Sequence, residues 1–253
     1  MAKRQWFPFV SRDDHTQPGG VNDACWITTK LYAKGNSVDS PYLIPNEWIC
    51  GRIASCLCLP IPPFALFRPL GKGAIASLRF STDQTPPNDT DPVECVKADS
   101  FLCVGIVLLD ILIANNDRHE GNISVDRPVS PRDIRIFDHD QALFGCRAGK
   151  GIERLESMKG RLGVSAGPKS GGNRHVLLDV LNTAQHFQDW YLRFENLPDW
   201  YVNDACDSVV KLGTTQKEAG FAAEFLNKRK KALEGIVNQH KKEFKSIRDW
   251  RLF

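Results

Sequence analysis

Apolar and polar positions are spaced differently in the two parts of the chain. Up to about residue 81, apolar residues fall mainly in short β-prone runs bounded by turn residues, as is typical of strands. These runs cover 25–32, 64–70 and 74–81. One helix is expected between the first two runs, from Asn46 to about Leu57, because Pro45 suits the first turn of a helix. The first part is therefore predicted to be small and strand-rich.

Helical spacing dominates the rest of the chain, after a polar, proline-containing segment at 81–93 that predicts a loop or a link between lobes. A helix is expected from Pro92 to about Ala114, followed by a loop and two short strands. The strands are predicted at 123–125 and 134–137, and further helices near 175–195 and 198–211. The pattern predicts an α+β fold of two lobes. The N-lobe is assigned to residues 1–85 and the mostly helical C-lobe to residues 86–253.

A last long helix is predicted by a capping box, in which Thr215 is followed three residues later by Glu218. Apolar residues then recur at helical spacing, and they predict the buried face. They are Leu233, Ile236, Val237, Phe244 and Ile247, with His240 among them. Basic residues occupy the other positions and are expected to form a solvated face: Lys228, Arg229, Lys230, Lys231, Lys241 and Lys242.

Composition is that of an ordinary globular protein, and it narrows the choice of partners. Of 253 residues, 42% are hydrophobic and 25% charged, and the net charge of +3 does not predict direct nucleic-acid binding. The most apolar run, 101–109, is far shorter than the roughly 18–20 residues that a bilayer needs. Eight cysteines without a C-x-x-C pair favour a reducing compartment. We therefore expect a cytoplasmic protein without a membrane partner.

The stretch 116–122 carries the most specific chemical signal. Asp117 is followed five residues later by Asn122, and the predicted strand at 134–137 then leads into Asp138. This is the order of parts in a protein-kinase-like phosphotransfer site. There the first Asp accepts the proton of the attacking hydroxyl, while the Asn and the second Asp hold Mg²⁺ against the ATP phosphates. Asp140 would lie on the same side of an extended chain as Asp138, so it is a further candidate ligand for the metal.

The nucleotide phosphates require a cation from the first part of the chain. Lys30 follows a small residue, Thr28, in a strand-like segment with the shape of the kinase V-A-I-K motif, and Glu47 lies in the next helix. A lysine held by a helical glutamate can present its ammonium to phosphates. Upstream, Gly19 and Gly20 would let backbone N–H groups approach the phosphates, although a plain turn explains two glycines equally well.

Taken together, these segments resemble the HipA-like kinases, particularly the short stand-alone type, and more distantly the phosphatidylinositol kinases. The specific part is Asn116–Asn122 followed by Phe137–His139; Pro45–Trp48, 59–63, Leu197–Trp200 and Lys228–Arg229 extend the resemblance over most of the chain. It implies a bilobal kinase fold and ATP- and Mg²⁺-dependent phosphorylation of a protein Ser or Thr. In some relatives it implies a toxin opposed by an antitoxin. Asp140 departs from the pattern, which has Gly there.

Three other functions stay open at this stage. The first is a phosphotransferase for a small molecule or lipid, and the second is a degenerate kinase that acts as a nucleotide-binding interaction module. The third is a metallophosphoesterase or nuclease that uses the acids and histidines of both motifs as ligands. Finally, residues 147–174 hold seven glycines and many basic side chains. They predict a mobile loop at the place where kinases dock protein substrates.

Overall fold

The computed structural model describes residues 9–13, 26–29, 31–67, 73–78, 90–126, 133–164 and 174–250, with backbone only for 9–13, 26–29, 126 and 133. A small strand-containing part precedes a larger helical part, so the predicted α+β architecture with two unequal lobes is confirmed. The predicted boundary near residue 85 lies outside the described residues and stays a prediction.

Two antiparallel sheets and one helix form the described N-lobe. The strands are β1 (Phe9–Asp13), β2 (Trp26–Thr29), β3 (Leu31–Lys34), β4 (Phe64–Phe67) and β5 (Ala74–Leu78). β1 pairs with β2, whereas the second sheet has the order β3-β5-β4. The run 25–32, which the sequence predicts as one strand, thus supplies two strands that pair with different neighbours. Helix α1 (Leu43–Cys56) connects β3 to β4 and begins three residues earlier than predicted, with Pro45 in its first turn.

The C-lobe elements follow the predicted order, except that the helix Gly151–Met158 was not predicted and that the helix expected near 175–195 begins only at Phe187. They are α2 (Pro92–Ala98), α3 (Ser100–Leu112), β6 (Ile123–Asp126), β7 (Asp133–Ile136), α4 (Gly151–Met158), α5 (Phe187–Glu195), α6 (Asp199–Asp207) and α7 (Gln216–Gln239). The single helix expected at 92–114 is divided at Asp99, whose backbone is extended and whose side chain accepts the Leu102 N–H. This cap starts α3 in a new direction, because capping groups satisfy the first N–H groups of a helix.

Two expectations for the C-lobe surface are wrong where the structure describes the chain, and residues 165–173 of the predicted loop lie outside that part. The glycine-rich stretch contains helix α4, and Arg154 of that helix points inward to the carbonyl oxygens of Leu143 and Ala114. In α7 the Thr215–Glu218 capping box is confirmed, but Arg229 and Lys230 are buried instead of solvated. Arg229 donates to carbonyl oxygens in the last turns of α3 and α4. These arginines satisfy chain segments that lack regular hydrogen-bond partners, which explains their burial.

Helix α3 is the centre of the hydrophobic core. Its residues from Cys103 to Leu112 are all buried, and it packs against α2, α5 and α7. Burial of each large aliphatic side chain contributes about 1.5–3 kcal/mol to the free energy of unfolding. This helix therefore gives a rigid base to the loop at 116–122, which follows it. Within the described ranges, no helix combines the length and apolar character that crossing a bilayer requires.

The contact between Gly105 and Trp190 tests the packing of this core. A Cβ at Gly105 would overlap the Trp190 ring, which is held in place by a 2.7 Å bond from Nε1 to the Phe101 carbonyl oxygen. Gly105→Ala should therefore lower the free energy of unfolding in urea by about 1–3 kcal/mol. Gly220→Ala is the matched control, since that helical glycine in α7 has open space around it. It should raise the free energy of unfolding by about 0.5–1 kcal/mol, and equal effects of the two changes would contradict the packing described.

Candidate active site

Asp117 and Asn122 occupy one tight loop between α3 and β6. Asn122 closes a 3-10 helical turn, and its amide Nδ2 donates to the Asp117 carbonyl oxygen at 2.9 Å. The Asp117 N–H in turn donates to Asn115 Oδ1 at 3.2 Å. The amide nitrogen of Asn122 is thereby used within the loop. The two residues that the sequence predicts to act together are tied to each other by a direct hydrogen bond.

Arg118 joins this loop to the strand that leads to Asp138. The side chain is fully buried, and its Nη1 donates to the carbonyl oxygens of Asn122 and Phe137, both at 2.6 Å. Its Nε and Nη2 donate to the two carboxylate oxygens of Asp110 at 2.9 and 3.1 Å. One guanidinium therefore fixes the end of the loop and the residue before Asp138 against a carboxylate of the core helix.

Asp110 is fully buried on α3, and three polar groups surround its carboxylate. Besides Arg118, Asn115 Nδ2 lies 2.9 Å from Oδ1 and His175 Nε2 lies 3.0 Å from Oδ2. Burial alone would favour the neutral acid, but the Arg118 charge and the His175 hydrogen bond outweigh it. They hold the pKa of Asp110 well below its ordinary value. The carboxylate is thus the fixed negative centre beneath the loop.

His175 connects the segment after α4 to the same centre. Its Nδ1 accepts the Leu177 N–H at 3.1 Å, so the ring proton lies on Nε2 and is donated to Asp110. Burial lowers the pKa of His175, which favours this neutral form. The next residue, Val176, donates its N–H to the Arg118 carbonyl oxygen at 2.9 Å. Arg118 of the loop is consequently held both by Asp110 of α3 and by the segment that contains His175 and Val176.

Lys34 of β3 brings the two lobes together at Asp138. Its Nζ lies 2.8 Å from Asp138 Oδ1 and 3.0 Å from Glu47 Oε1 of α1. Asp138 follows β7 with a φ of +61°, a left-handed conformation that Asp tolerates better than most residues. This turn ends the extended strand direction at the residue that carries the carboxylate. A strand lysine, a helix glutamate and the strand-end aspartate are therefore in direct contact.

The lysine in this contact is Lys34, whereas the sequence analysis assigns the pairing with Glu47 to Lys30. Lys30, Gly19 and Gly20 lie outside the described residues, and only the backbone of Thr28 is described, in β2. Two lysines four residues apart would share a face of one continuous strand, so alternation does not distinguish them. The division of that run into β2 and β3, which the sequence pattern does not reveal, puts Lys34 at the end of the second strand.

Two carboxyl groups near Lys34, those of Glu47 and Asp140, have pKa values shifted in opposite directions. Burial raises the pKa of Glu47, but a contact with His139 (Nδ1 3.5 Å from Oε2) and the Lys34 ammonium together lower it to about 2. Burial and the negative charge of Asp138 raise the pKa of Asp140 to about 6. Asp140 thus lies in a region with a surplus of negative charge.

The predicted ligands carry the kinds of atom that suit a magnesium ion bound with a nucleotide. Mg²⁺ prefers carboxylate and amide oxygens, which Asn122, Asp138 and Asp140 carry, and the surplus negative charge near Asp140 is what a divalent cation offsets. The Lys34 ammonium beside Asp138 is suited to phosphate oxygens. When bound, Mg²⁺ and ATP would supply a polarised phosphoryl group to the site.

The alternative of a metallophosphoesterase or nuclease has no matching geometry. His119 Nδ1 accepts the Gly121 N–H at 3.1 Å, and His139 is buried against Glu47. His119 thus bonds within its own loop, whereas His139 contacts the glutamate of α1. Over the described ranges, no three His, Cys, Asp or Glu side chains are grouped so as to hold a metal ion.

Sequence reasoning missed Lys34 in the site, and it missed three buried residues that support the site: Asp110, His175 and Asn46, which donates to the Asp140 carbonyl oxygen. One signal was present, because Asp110 interrupts the most apolar run of the chain and a buried acid requires a buried partner. His175 gave no local signal, since its partner Asp110 lies 65 residues away.

The strand lysine, the helix glutamate, the Asp-x4-Asn loop and the strand-end aspartate, in this order on two unequal lobes, define a protein-kinase-like fold. The crystal structure of a Helicobacter pylori proinflammatory kinase, CtkA, is similar, with a TM-score of 0.57 over 93% of this chain and 98% of that chain. The two sequences are 16% identical, so the likeness concerns the fold. No protein-family model and no curated protein matches the sequence.

The buried Asp110 centre should govern acid stability. Asp110→Asn leaves Arg118 as a buried charge without its carboxylate, so the free energy of unfolding near neutral pH should fall by about 3–5 kcal/mol. The pKa of Asp110 is lower in the folded state than in the unfolded state. The ionised carboxylate therefore contributes fully to the free energy of unfolding above the unfolded-state pKa. This contribution is lost as the pH falls from there towards the folded-state pKa. The difference between wild type and variant should therefore shrink from about pH 5 towards pH 2 in urea titrations.

Glu153→Gln is the control for the loss of one negative charge. Glu153 is exposed on α4 and pairs with the exposed Lys150 at 2.7 Å. This change should alter the free energy of unfolding little at any pH, because exposed pairs contribute little. A wild-type–variant difference for Asp110→Asn that is the same at both ends of the pH range would contradict the role given to its ionised form.

Proposed function

We propose that the protein is an ATP- and Mg²⁺-dependent kinase that phosphorylates a Ser or Thr hydroxyl of a protein substrate. The observation that carries the proposal is the contact of Lys34 with Glu47 and, across 104 residues of sequence, with Asp138. A strand lysine paired with a helix glutamate, close to an aspartate that can hold the metal, is the combination that protein kinases use at the nucleotide phosphates. The similar fold of a known kinase supports the same class.

In this proposal Asp117 is the general base. Its loop is fixed by Arg118 to the residue before Asp138, which sets the base and the metal ligands at a constant separation. Kinase catalysis depends mainly on positioning and electrostatic stabilisation, so a rigid connection between these parts is what the reaction needs. Asn122 and Asp138 are the proposed metal ligands, with Asp140 as a further carboxylate near them.

A protein substrate and a toxin role rest on the resemblance to HipA-like kinases seen in the sequence. The corresponding partner would be an antitoxin that suppresses the activity. The bound phosphates are proposed to contact Lys34, with Gly19, Gly20 and Thr28 as candidates for the cover over the nucleotide. A cytoplasmic location completes the proposal, in line with the eight cysteines and the absence of a C-x-x-C pair.

The direct test is incubation of the pure protein with Mg²⁺ and γ-labelled ATP, alone and with a cell lysate. Label in lysate proteins at phosphoserine or phosphothreonine supports the proposal. Label in the small-molecule or lipid fraction instead would favour the alternative phosphotransferase. Calorimetric binding of Mg²⁺–ATP without any transfer would favour the interaction module, and neither binding nor transfer would refute a kinase.

Asp117→Asn should remove transfer while leaving the fold and nucleotide binding nearly intact. The change keeps the side-chain size but removes the proton acceptor, which is worth about 10²–10⁴-fold in rate. The rate is measured with labelled ATP, and binding by calorimetry. Glu120→Gln is the control, because Glu120 is an exposed acid of the same loop. Transfer at the wild-type rate in Asp117→Asn would rule out this base.

Lys34→Met should reduce transfer much more than Lys30→Met. Methionine keeps much of the length of lysine but removes the ammonium that contacts Glu47 and Asp138. The expected loss in kcat/KM for ATP is about 10²–10³-fold, as for other preorganised charges that face the reacting group. Equal losses in the two variants, measured at several ATP concentrations, would contradict the assignment to Lys34.

A further inference from the structure

Asn46, next to Glu47 on α1, is fully buried and makes three hydrogen bonds to one segment. Its Nδ2 donates to the carbonyl oxygens of Asp140 at 2.6 Å and Gly145 at 3.2 Å. Its Oδ1 accepts the Phe144 N–H at 3.1 Å. The segment 140–145, here called the post-metal segment, begins two residues after Asp138. One side chain therefore connects the glutamate helix to the chain that leaves the predicted metal ligand.

The chemistry of this contact requires an amide. The post-metal segment has no helix or strand, so its buried N–H and C=O groups need partners from elsewhere. An asparagine side chain offers two donor hydrogens and an acceptor oxygen at once, which a carboxylate or a hydroxyl does not match. Asn46 satisfies two carbonyls and one N–H of the segment, and it has no exposed surface that would suggest a ligand of its own.

The remainder of α1 is also attached to the C-lobe. Arg52 pairs with Asp204 of α6 at 2.6 Å, and Trp48 Nε1 donates to Ser208 Oγ at 2.8 Å. Before the helix, the Tyr42 hydroxyl bonds to Glu218 of the α7 capping box. These contacts lie on both sides of Asn46 and join α1 to α6 and α7. The helix that carries Glu47 is thus fixed to the larger lobe along its length.

We propose that Asn46 is a positioning residue, which holds α1 on the post-metal segment so that Glu47, Lys34 and Asp138 are assembled without a movement of α1. The consequence for phosphotransfer rests on the proposed kinase function, whereas the mechanical connection does not. Asn46 acts through Glu47: it fixes the backbone next to the glutamate, the glutamate fixes the Lys34 ammonium at 3.0 Å, and the ammonium contacts Asp138.

The mechanical connection is tested by hydrogen exchange in the protein without nucleotide. Asn46→Ala removes the acceptor of the Phe144 N–H, so exchange at Phe144 should become roughly tenfold faster or more. Trp48→Phe is the matched control on the same helix, since it loses one bond to Ser208 and should leave Phe144 unchanged. Equal exchange at Phe144 in wild type and Asn46→Ala would overturn the proposal, whatever the protein catalyses.

The second test asks whether Asn46 acts through Glu47. Alone, Asn46→Ala and Glu47→Gln should each lower kcat for labelled transfer by roughly 10- to 100-fold, because misplacement of a phosphate-binding group has effects of this size. The kcat of the double variant should be no lower than that of the less active single variant. Multiplication of the two losses would show independent, merely structural effects and overturn the proposal. Wild type without any transfer would refute the kinase function and leave the exchange result to decide on Asn46.

Asn46→Ser covers the case in which the alanine variant does not fold. Serine retains one hydroxyl but is too short to satisfy all three partners, so the same faster exchange at Phe144 is expected with a smaller loss of stability. Thermal unfolding of each variant is recorded alongside. Unchanged exchange at Phe144 in the folded serine variant would also count against the proposal.

Discussion

The fully buried pairing of Arg118 with Asp110 is the interaction on which the rest of the site depends. Asp110 belongs to the core helix α3. Arg118 pairs with it and donates hydrogen bonds to the Asn122 and Phe137 carbonyl oxygens. Two charges buried together are costly unless their remaining hydrogen-bonding positions are satisfied, and here Asn115 and His175 complete the set around the carboxylate. The loop has little regular structure of its own, but its hydrogen bonds to these buried groups hold it in one conformation.

The N-lobe meets this frame through Lys34 of β3 and through helix α1. Lys34 reaches from β3 to Asp138, and α1, which connects β3 to β4 in sequence, is attached mainly to the C-lobe. The sheet β3-β5-β4 thus reaches Asp138 through Lys34, and just after β3 Asn36 Nδ2 also donates to the Leu212 carbonyl oxygen at 2.6 Å. The helical part therefore positions most of the site residues, and the strand β3 supplies the positive charge of Lys34.

The sequence predicted those parts of the molecule whose cause is local. The strands β6 and β7, the capping box at Thr215 and the order of the lobes follow from short-range patterns, and they are confirmed. Lys34 could not be chosen over Lys30, because both fit the same strand periodicity until the pairing partners are known. The burial of Arg229 could not be predicted either, because carbonyls distant in sequence determine it. The roles proposed for Asp117, Asn122 and Asp138 remain predictions.

The shared ammonium of Lys34 has a thermodynamic consequence. In the structure it pairs with Glu47 and Asp138 at the same time, so the Asp138 carboxylate that would bind a cation already has a positive partner. An anion that draws the ammonium away from Asp138 releases that carboxylate, and a cation on Asp138 releases the ammonium in turn. Anion and cation thus favour each other's binding by the same factor, as linkage requires, even where they do not touch. One lysine between two carboxylates makes the two sites a cooperative pair.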